Sequence, residues 1–223
     1  MKEIFNFFYI SEFRGAKFLL YWSILILSFL LFQHPDLYHT ATSSYAYLEG
    51  HFIDFYDHNK TVMEFTHYLP IIYFLYAIWN LPIYLLGYTT SPEKTHFSWV
   101  PLNLPSVPIE IIWWKILLII LFFSSAYALG KISELVLSDK SHSKQLARIL
   151  FATSPIAIFS VFIFGGYDIF SVFFTLIGFY FYLKKNIHLF VFFFSIAISF
   201  KFFAAVIFLP LLLLIEKKTF KYY

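Results

Sequence analysis

The sequence predicts an all-α fold, a polytopic transmembrane helical bundle forming one integral-membrane unit over 1–223. Apolar residues make up 60% of the chain and charged residues 13%, against about 25% charged in soluble domains. Mean hydropathy is +0.73. The apolar residues gather into runs separated by short charged or proline-bearing stretches, room for about six or seven membrane segments at about 20 residues each. The chain has no cysteine, which excludes disulfides, thiolate metal sites and cysteine nucleophiles. Its basic residues sit in small clusters beside the runs, with no basic tract of the kind that binds nucleic acid. Abundant Phe and Tyr, 32 and 17, suit bilayer packing and interfacial belts.

The opening "MKEIFNFFYISEFRGAKFLLYWSILILSFLLFQHPD" has a charged lead and an apolar run without a small-x-small cleavage site. It reads as an uncleaved first span over 18–33. Lys2, Arg14 and Lys17 precede that span, so the N-terminus is expected in the cytoplasm and residues 34–66 outside. This outer stretch is acidic, with Asp36, Glu49, Asp54, Asp57 and Glu64 against Lys60. It also carries His34, His39, His51 and His58, with His67 just beyond. Within it "DLYHTATSSYAYLEGH" places Leu37, Ala41, Ser44, Tyr45 and Leu48 at helical spacing, an amphipathic helix expected to lie on the membrane surface.

The next apolar segment, 68–88, is expected to break near Asn80 and Pro82, and a loop with Pro92, Pro101, Pro105 and Pro108 follows. Further runs cover about 111–137, 148–164, 169–183 and 187–215. Lys184 and Lys185 form one basic cluster and Lys217, Lys218 and Lys221 another. If both are cytoplasmic, the run between them goes out and returns, as two short helices meeting near Lys201. Segment 169–183 then leads outward from Lys184, placing Gly165–Asp168 on the same outer face as Asp36. Lys140, Lys144 and Arg148 also read as cytoplasmic, which requires a re-entrant turn at Asn80–Pro82.

Several charges lie where lipid would penalise them. Lys201 sits inside "SIAISFKFFAAVIFLPLLLL", and a lysine at a helix centre costs about 2.5–3.5 kcal/mol to insert. Either it snorkels to a surface, or it serves as a cation for a phosphate or a partner for a carboxylate. Asp168 follows Gly165 and Gly166; it is either a helix N-cap or a site carboxylate beside a backbone able to approach closely. Asp36 follows Pro35 at the mouth of the first span, where both residues also suit a helix start. Asp54, Asp57 and His58 share one helical face. They form either an exposed acidic patch or a ligand set for a divalent cation such as Mg or Mn. No phosphate-binding glycine loop, HExxH or serine-nucleophile elbow is present.

In their order along the chain, these features resemble the GT-C superfamily of integral-membrane glycosyltransferases, which use polyprenyl-phosphate sugars. The family pattern of an acidic residue just beyond the first span falls on Asp36 in "HPDLYHTATSSYAYLEGH". "ATSPIAIFSVFIFGGYDIFSVFFTLIGFYFYLKKN" is similar to the family's SP…GQxD/N region, with Gly166 where relatives often have glutamine. "FFSIAISFKFFAAVIFLPLLLL" is similar to the lysine-bearing hairpin of mannosyltransferase-like members.

The resemblance runs over about residues 20–215. It corresponds to the family's N-terminal membrane module, implying a truncated enzyme, one half of a split enzyme whose partner subunit supplies further spans, or an inactive remnant. It implies an extracytoplasmic transferase in the cell membrane that moves a hexose from the lipid-phosphate donor to a glycan or glycolipid acceptor by inverting displacement. Asp36 would be the catalytic base, and Asp168 would orient the acceptor or hold a metal. Lys201, or secondly Lys60, would bind the departing phosphate. Tyr38, Tyr45 and Tyr167 would line the sugar site, and Gly165 and Gly166 would help bind the substrate and its phosphate. A lipid-linked-sugar transporter or flippase, or a non-catalytic membrane scaffold, are the competing classes.

Overall fold

The computed structural model describes residues 15–32, 34–63, 68–87, 109–137 and 140–215. Lys2, Arg14, Glu64, His67, the prolines from Pro92 to Pro108 and the cluster Lys217, Lys218, Lys221 lie outside the described residues. Among the described residues the regular elements are helical, with no strand.

The helices are α1 (Ala16–Leu31), α2 (Pro35–Ser43), α3 (Tyr45–Leu48), α4 (Phe55–Met63), α5 (Pro70–Leu85), α6 (Ile109–Val136), α7 (Lys140–Ala152) and α8 (Pro155–Ile158). A π-helical turn (Phe159–Ile163) continues α8, followed by α9 (Asp168–Leu183), α10 (Ile187–Phe200) and α11 (Phe203–Leu213). Pro35, Pro70 and Pro155 each stand in the first turn of their helix, where a missing N–H costs nothing.

Helix α6 is the axle. It has 28 residues, about 42 Å at 1.5 Å per residue, and is the one helix among those described that is by itself long and apolar enough to cross a membrane. Two bent pairs raise that number to three if each is one span: α1 with α2–α3, bent by 64°, and α7 with α8 and the π turn, bent by 52°. Helices α9, α10 and α11, at 16, 14 and 11 residues, reach about 24, 21 and 17 Å, short of the ~30 Å hydrocarbon core. Outward faces are greasy: Leu19, Leu20, Ile26, Leu27, Val206, Leu209 and Leu213 are exposed, a surface suited to lipid.

Two expectations are corrected. The helix foreseen on the membrane surface is enclosed by protein. Leu37, Ala41, Ser44 and Tyr45 are buried as the periodicity suggests, but so are Tyr38, Thr40, Thr42, Ser43 and Ala46 on the other faces. The polar face is made of small hydroxyl residues, which let α5 and α6 come close. Nor does α5 break at Asn80–Pro82. Pro82 lies inside a continuous helix, which ends one turn later, before Gly87 at φ 84°. No re-entrant turn exists there.

Asn80 instead ties three helices together. Fully buried, its amide donates to the Ser44 hydroxyl at 3.1 Å and the Ala41 carbonyl at 3.3 Å, and accepts from the Trp114 indole at 2.9 Å. One residue earlier on each helix the indoles of Trp79 and Trp113 stack at 4.6 Å, each donating to the other's backbone carbonyl at 2.9 Å. The second half closes by similar means. The Ser171 hydroxyl donates to the Ala197 carbonyl at 2.9 Å, and Gly178 leaves no room for a side chain beside Phe194, so α9 and α10 pack as an intimate pair. Arg148 is likewise buried, its guanidinium 4.5 Å from the Tyr127 ring and its stem against Gly130.

Asn80→Leu should lower thermal stability in detergent by about 1–3 kcal/mol, because the Trp114 N–H is left buried without an acceptor; a melting curve unchanged from the parent would contradict this role.

Candidate functional site

The acidic start of α2, just after α1, and the "GGYD" turn meet. Helix α2 starts at Pro35, with Asp36 in its first turn and the His34 ring accepting from the Asp36 N–H at 3.2 Å. The same ring stacks on Phe164 at 3.9 Å, laying the chain before Asp36 against the chain before Gly165. Gly165 has φ +68°, and a Cβ there would come within 3.1 Å of the Leu37 Cβ. Glycine is therefore needed twice over, for the left-handed backbone and for the approach. At Gly166 the N–H donates to the Ser160 carbonyl at 2.7 Å, and a Cβ would crowd that carbonyl and the Ser160 hydroxyl, both at 3.2 Å. The two glycines close the turn, and the Gly166 N–H is used within it.

Tyr167 and Tyr68 bridge the acidic residues. The Tyr68 hydroxyl donates to Asp36 Oδ2 at 3.5 Å, and its ring lies 4.3 Å from that of Tyr167. Burial first, then the hydrogen bond with Tyr68 and the fields of Tyr68, Asp168 and Asp36, hold the Tyr167 phenol protonated above its usual range. The Lys201 ammonium stands 5.0 Å from the Tyr167 ring centroid and 2.9 Å from Asp168 Oδ1. Asp36, Tyr68, Tyr167, Asp168 and Lys201 thus form one contiguous chain of contacts.

Lys201 is not mid-helix. Its backbone is extended (φ −149°, ψ 128°) between α10 and α11, so the helices meet at Lys201 as foreseen. The break lets the side chain turn to Asp168 without lying on a lipid-facing helix surface. Asp168 does not cap α9. Tyr167 holds that position, no side chain caps the helix, and Asp168 is the first helical residue, with its carboxylate committed to Lys201. With side chains 36% and 49% exposed, the pair is worth at most about 1 kcal/mol in water. Its importance is positional.

Other expected residues lie elsewhere. Tyr38 is buried against Trp114, ring centroids 5.7 Å apart, and Tyr45 is buried beside Tyr84 at 6.0 Å; both are core residues. Lys60 is exposed and 3.9 Å from Asp57. The trio Asp54, Asp57, His58 does not converge. Asp54 precedes α4 in the loop and accepts from His51 Nδ1 at 2.9 Å, while the His58 ring stacks on His51 at 3.7 Å. The residues whose ligand atoms gather are Glu49, His51 and His58.

Sequence reasoning missed Lys115. Almost fully buried in α6, its ammonium donates to the carbonyls of Phe29 at 2.7 Å, Phe162 at 3.3 Å and Phe32. The signal was available: a lone cation in "EIIWWKILLIILFF" is as anomalous as Lys201 in its own run. Comparison with protein-family models, curated proteins and solved structures returned no match.

Lys115→Met should cost about 2 kcal/mol or more by leaving buried carbonyls unsatisfied. Lys201→Met should change stability by less than about 1 kcal/mol. Detergent melts of the two variants check the order, and a larger loss for Lys201→Met would reverse these assignments.

Proposed function

We propose that the chain is a multi-pass membrane glycosyltransferase of the GT-C kind. It would transfer a mannose-like hexose from a polyprenyl-phosphate sugar to a glycan or glycolipid acceptor at the extracytoplasmic face, alone or with a subunit supplying further spans. The observation that carries this reading is the meeting of Asp36, Tyr68, Tyr167, Asp168 and Lys201, drawn from separate parts of the sequence, at the ends of apolar helices.

The chemistry divides between the carboxylates. Asp168 is engaged with Lys201, which leaves Asp36 as the carboxylate able to take a proton. It is 39% exposed in its side chain and accepts from the Tyr68 hydroxyl. The acceptor oxygen attacks the anomeric carbon as its proton passes to Asp36. The bond from that carbon to the phosphate oxygen breaks, and its electron pair leaves with the lipid phosphate. Positive charge develops at the sugar ring, as in glycoside hydrolysis, and negative charge on the phosphate, where the Lys201 ammonium stabilises it. Asp168 aims Lys201, and Tyr167 gives the sugar an aromatic wall. The donor needs no nucleotide, in keeping with the absence of a nucleotide loop from the sequence. Exposed apolar residues of α10 and α11, Phe192, Phe203 and Val206, offer a surface for the polyprenyl tail.

Membranes carrying the chain should transfer sugar from a synthetic polyprenyl-phosphate hexose, and Asp36→Asn should lower the rate about 10²–10⁴-fold at normal insertion. Lys60→Met should leave it unchanged. Full transfer by Asp36→Asn would end the assignment, and movement of the donor across the bilayer without transfer would favour a flippase.

A further inference from the structure

We propose that Glu49, His51 and His58 form a zinc site that fastens the loop after α3 to helix α4, a site separate from the transferase reading. One ligand atom from each of the three residues can be chosen so that all lie within 4.8 Å of one another. Donor atoms of a tetrahedral zinc ion, with bonds of about 2.0–2.2 Å, stand roughly 3.3–3.5 Å apart. Zinc binding would draw the three ligand atoms together by rotation of their side chains. Glu49 is exposed and the histidines are half-buried, so these side chains have room to turn.

The chemistry of the donors selects the ion. Two imidazoles and one carboxylate suit zinc over magnesium or manganese, which favour all-oxygen shells. The tautomer of His51 is also set. Asp54 Oδ2 lies 2.9 Å from His51 Nδ1. The ionised carboxylate only accepts, so Nδ1 carries the proton and Nε2 presents its lone pair. This carboxylate–histidine relay orients and strengthens an imidazole ligand.

The backbone prepares the set. Gly50, at φ 96°, turns the chain sharply between Glu49 and His51, bringing both round to one side of the loop. His58 lies in the first turns of α4, and its N–H donates to the Asp54 carbonyl at 2.8 Å, fixing the helix start against the same loop. The rings of His51 and His58 stack at 3.7 Å with 17° between planes, which keeps them side by side in the absence of an ion; one ring turns out of the stack for both nitrogens to face zinc. Water completes the shell.

The test uses the full chain in detergent, stripped of metal and titrated with Zn²⁺ against a chromogenic chelator, with Co²⁺ as a spectroscopic substitute. The site predicts one Zn²⁺ per chain, a raised melting temperature on loading, and a tetrahedral Co²⁺ spectrum. His51→Ala and His58→Ala should abolish all three. Asp54→Asn should weaken binding about 10–100-fold, and His188→Ala, on α10, should leave it intact. Failure to bind Zn²⁺, or equal binding by His51→Ala and His58→Ala with their apo melting curves unchanged, would overturn the proposal.

Discussion

The ammonium of Lys115, sealed inside the bundle, draws its hydrogen-bond acceptors from two distant parts of the chain: the end of α1, through Phe29 and Phe32, and the π turn, through Phe162. Carbonyls in the last turn of a helix have no partner within it and carry the negative end of the helix dipole, so a cation satisfies them better than a neutral donor. A buried lysine costs several kcal/mol unless such partners surround it. Each side of this arrangement therefore requires the other. Just beyond these carbonyls stand the start of α2, with Asp36, and the glycine turn, with Asp168.

From that junction the rest follows by contact. Phe164 receives the His34 ring, Gly165 receives Leu37, and Tyr167 receives Tyr68, so the two acidic segments are zipped together by packing. Electrostatics contributes little to holding them. The Asp168–Lys201 pair is half-exposed, and the contact of Asp36 with Tyr68 is long, at 3.5 Å. A framework held by a buried cation and aromatic packing, carrying loosely held charges at its edge, leaves those charges available to a ligand. The transferase reading depends on that division between rigid support and accessible chemistry.

Much of the helix content was legible because apolar runs announce themselves. The ends of α9 and the break at Lys201 fell where charge and glycine placed them. The enclosed α2–α3 segment was misread because threonine and serine score as polar, and composition does not distinguish a wet polar face from small hydroxyl residues pressed against neighbouring helices. Pro82 was read as a break because a proline's local effect is visible in sequence, whereas the packing of Asn80, which holds that part of α5 in place, is not. Asp36, Asp168 and Lys201 were each suspected from local anomaly, and Tyr167 from the family resemblance. Tyr68, which joins Asp36 to Tyr167, was not, because an interfacial tyrosine is unremarkable until its neighbour is known. Helical spacing joined Asp54 and Asp57 to His58, whereas the ligand atoms that gather are those of Glu49, His51 and His58, with the turn at Gly50 between the first two.

The central claim, that the start of α2 and the glycine turn form one site, is tested most directly by proximity in native membranes. The chain has no cysteine, so Tyr68→Cys and Tyr167→Cys can be introduced together and treated with a short bifunctional thiol reagent. Their parent rings lie 4.3 Å apart, and the account predicts an intramolecular cross-link. The pair Tyr68→Cys with Tyr182→Cys, at the far end of α9 and about 22 Å along it, should give none. Absence of the first link although both thiols react singly, or equal linking by both pairs, would contradict it.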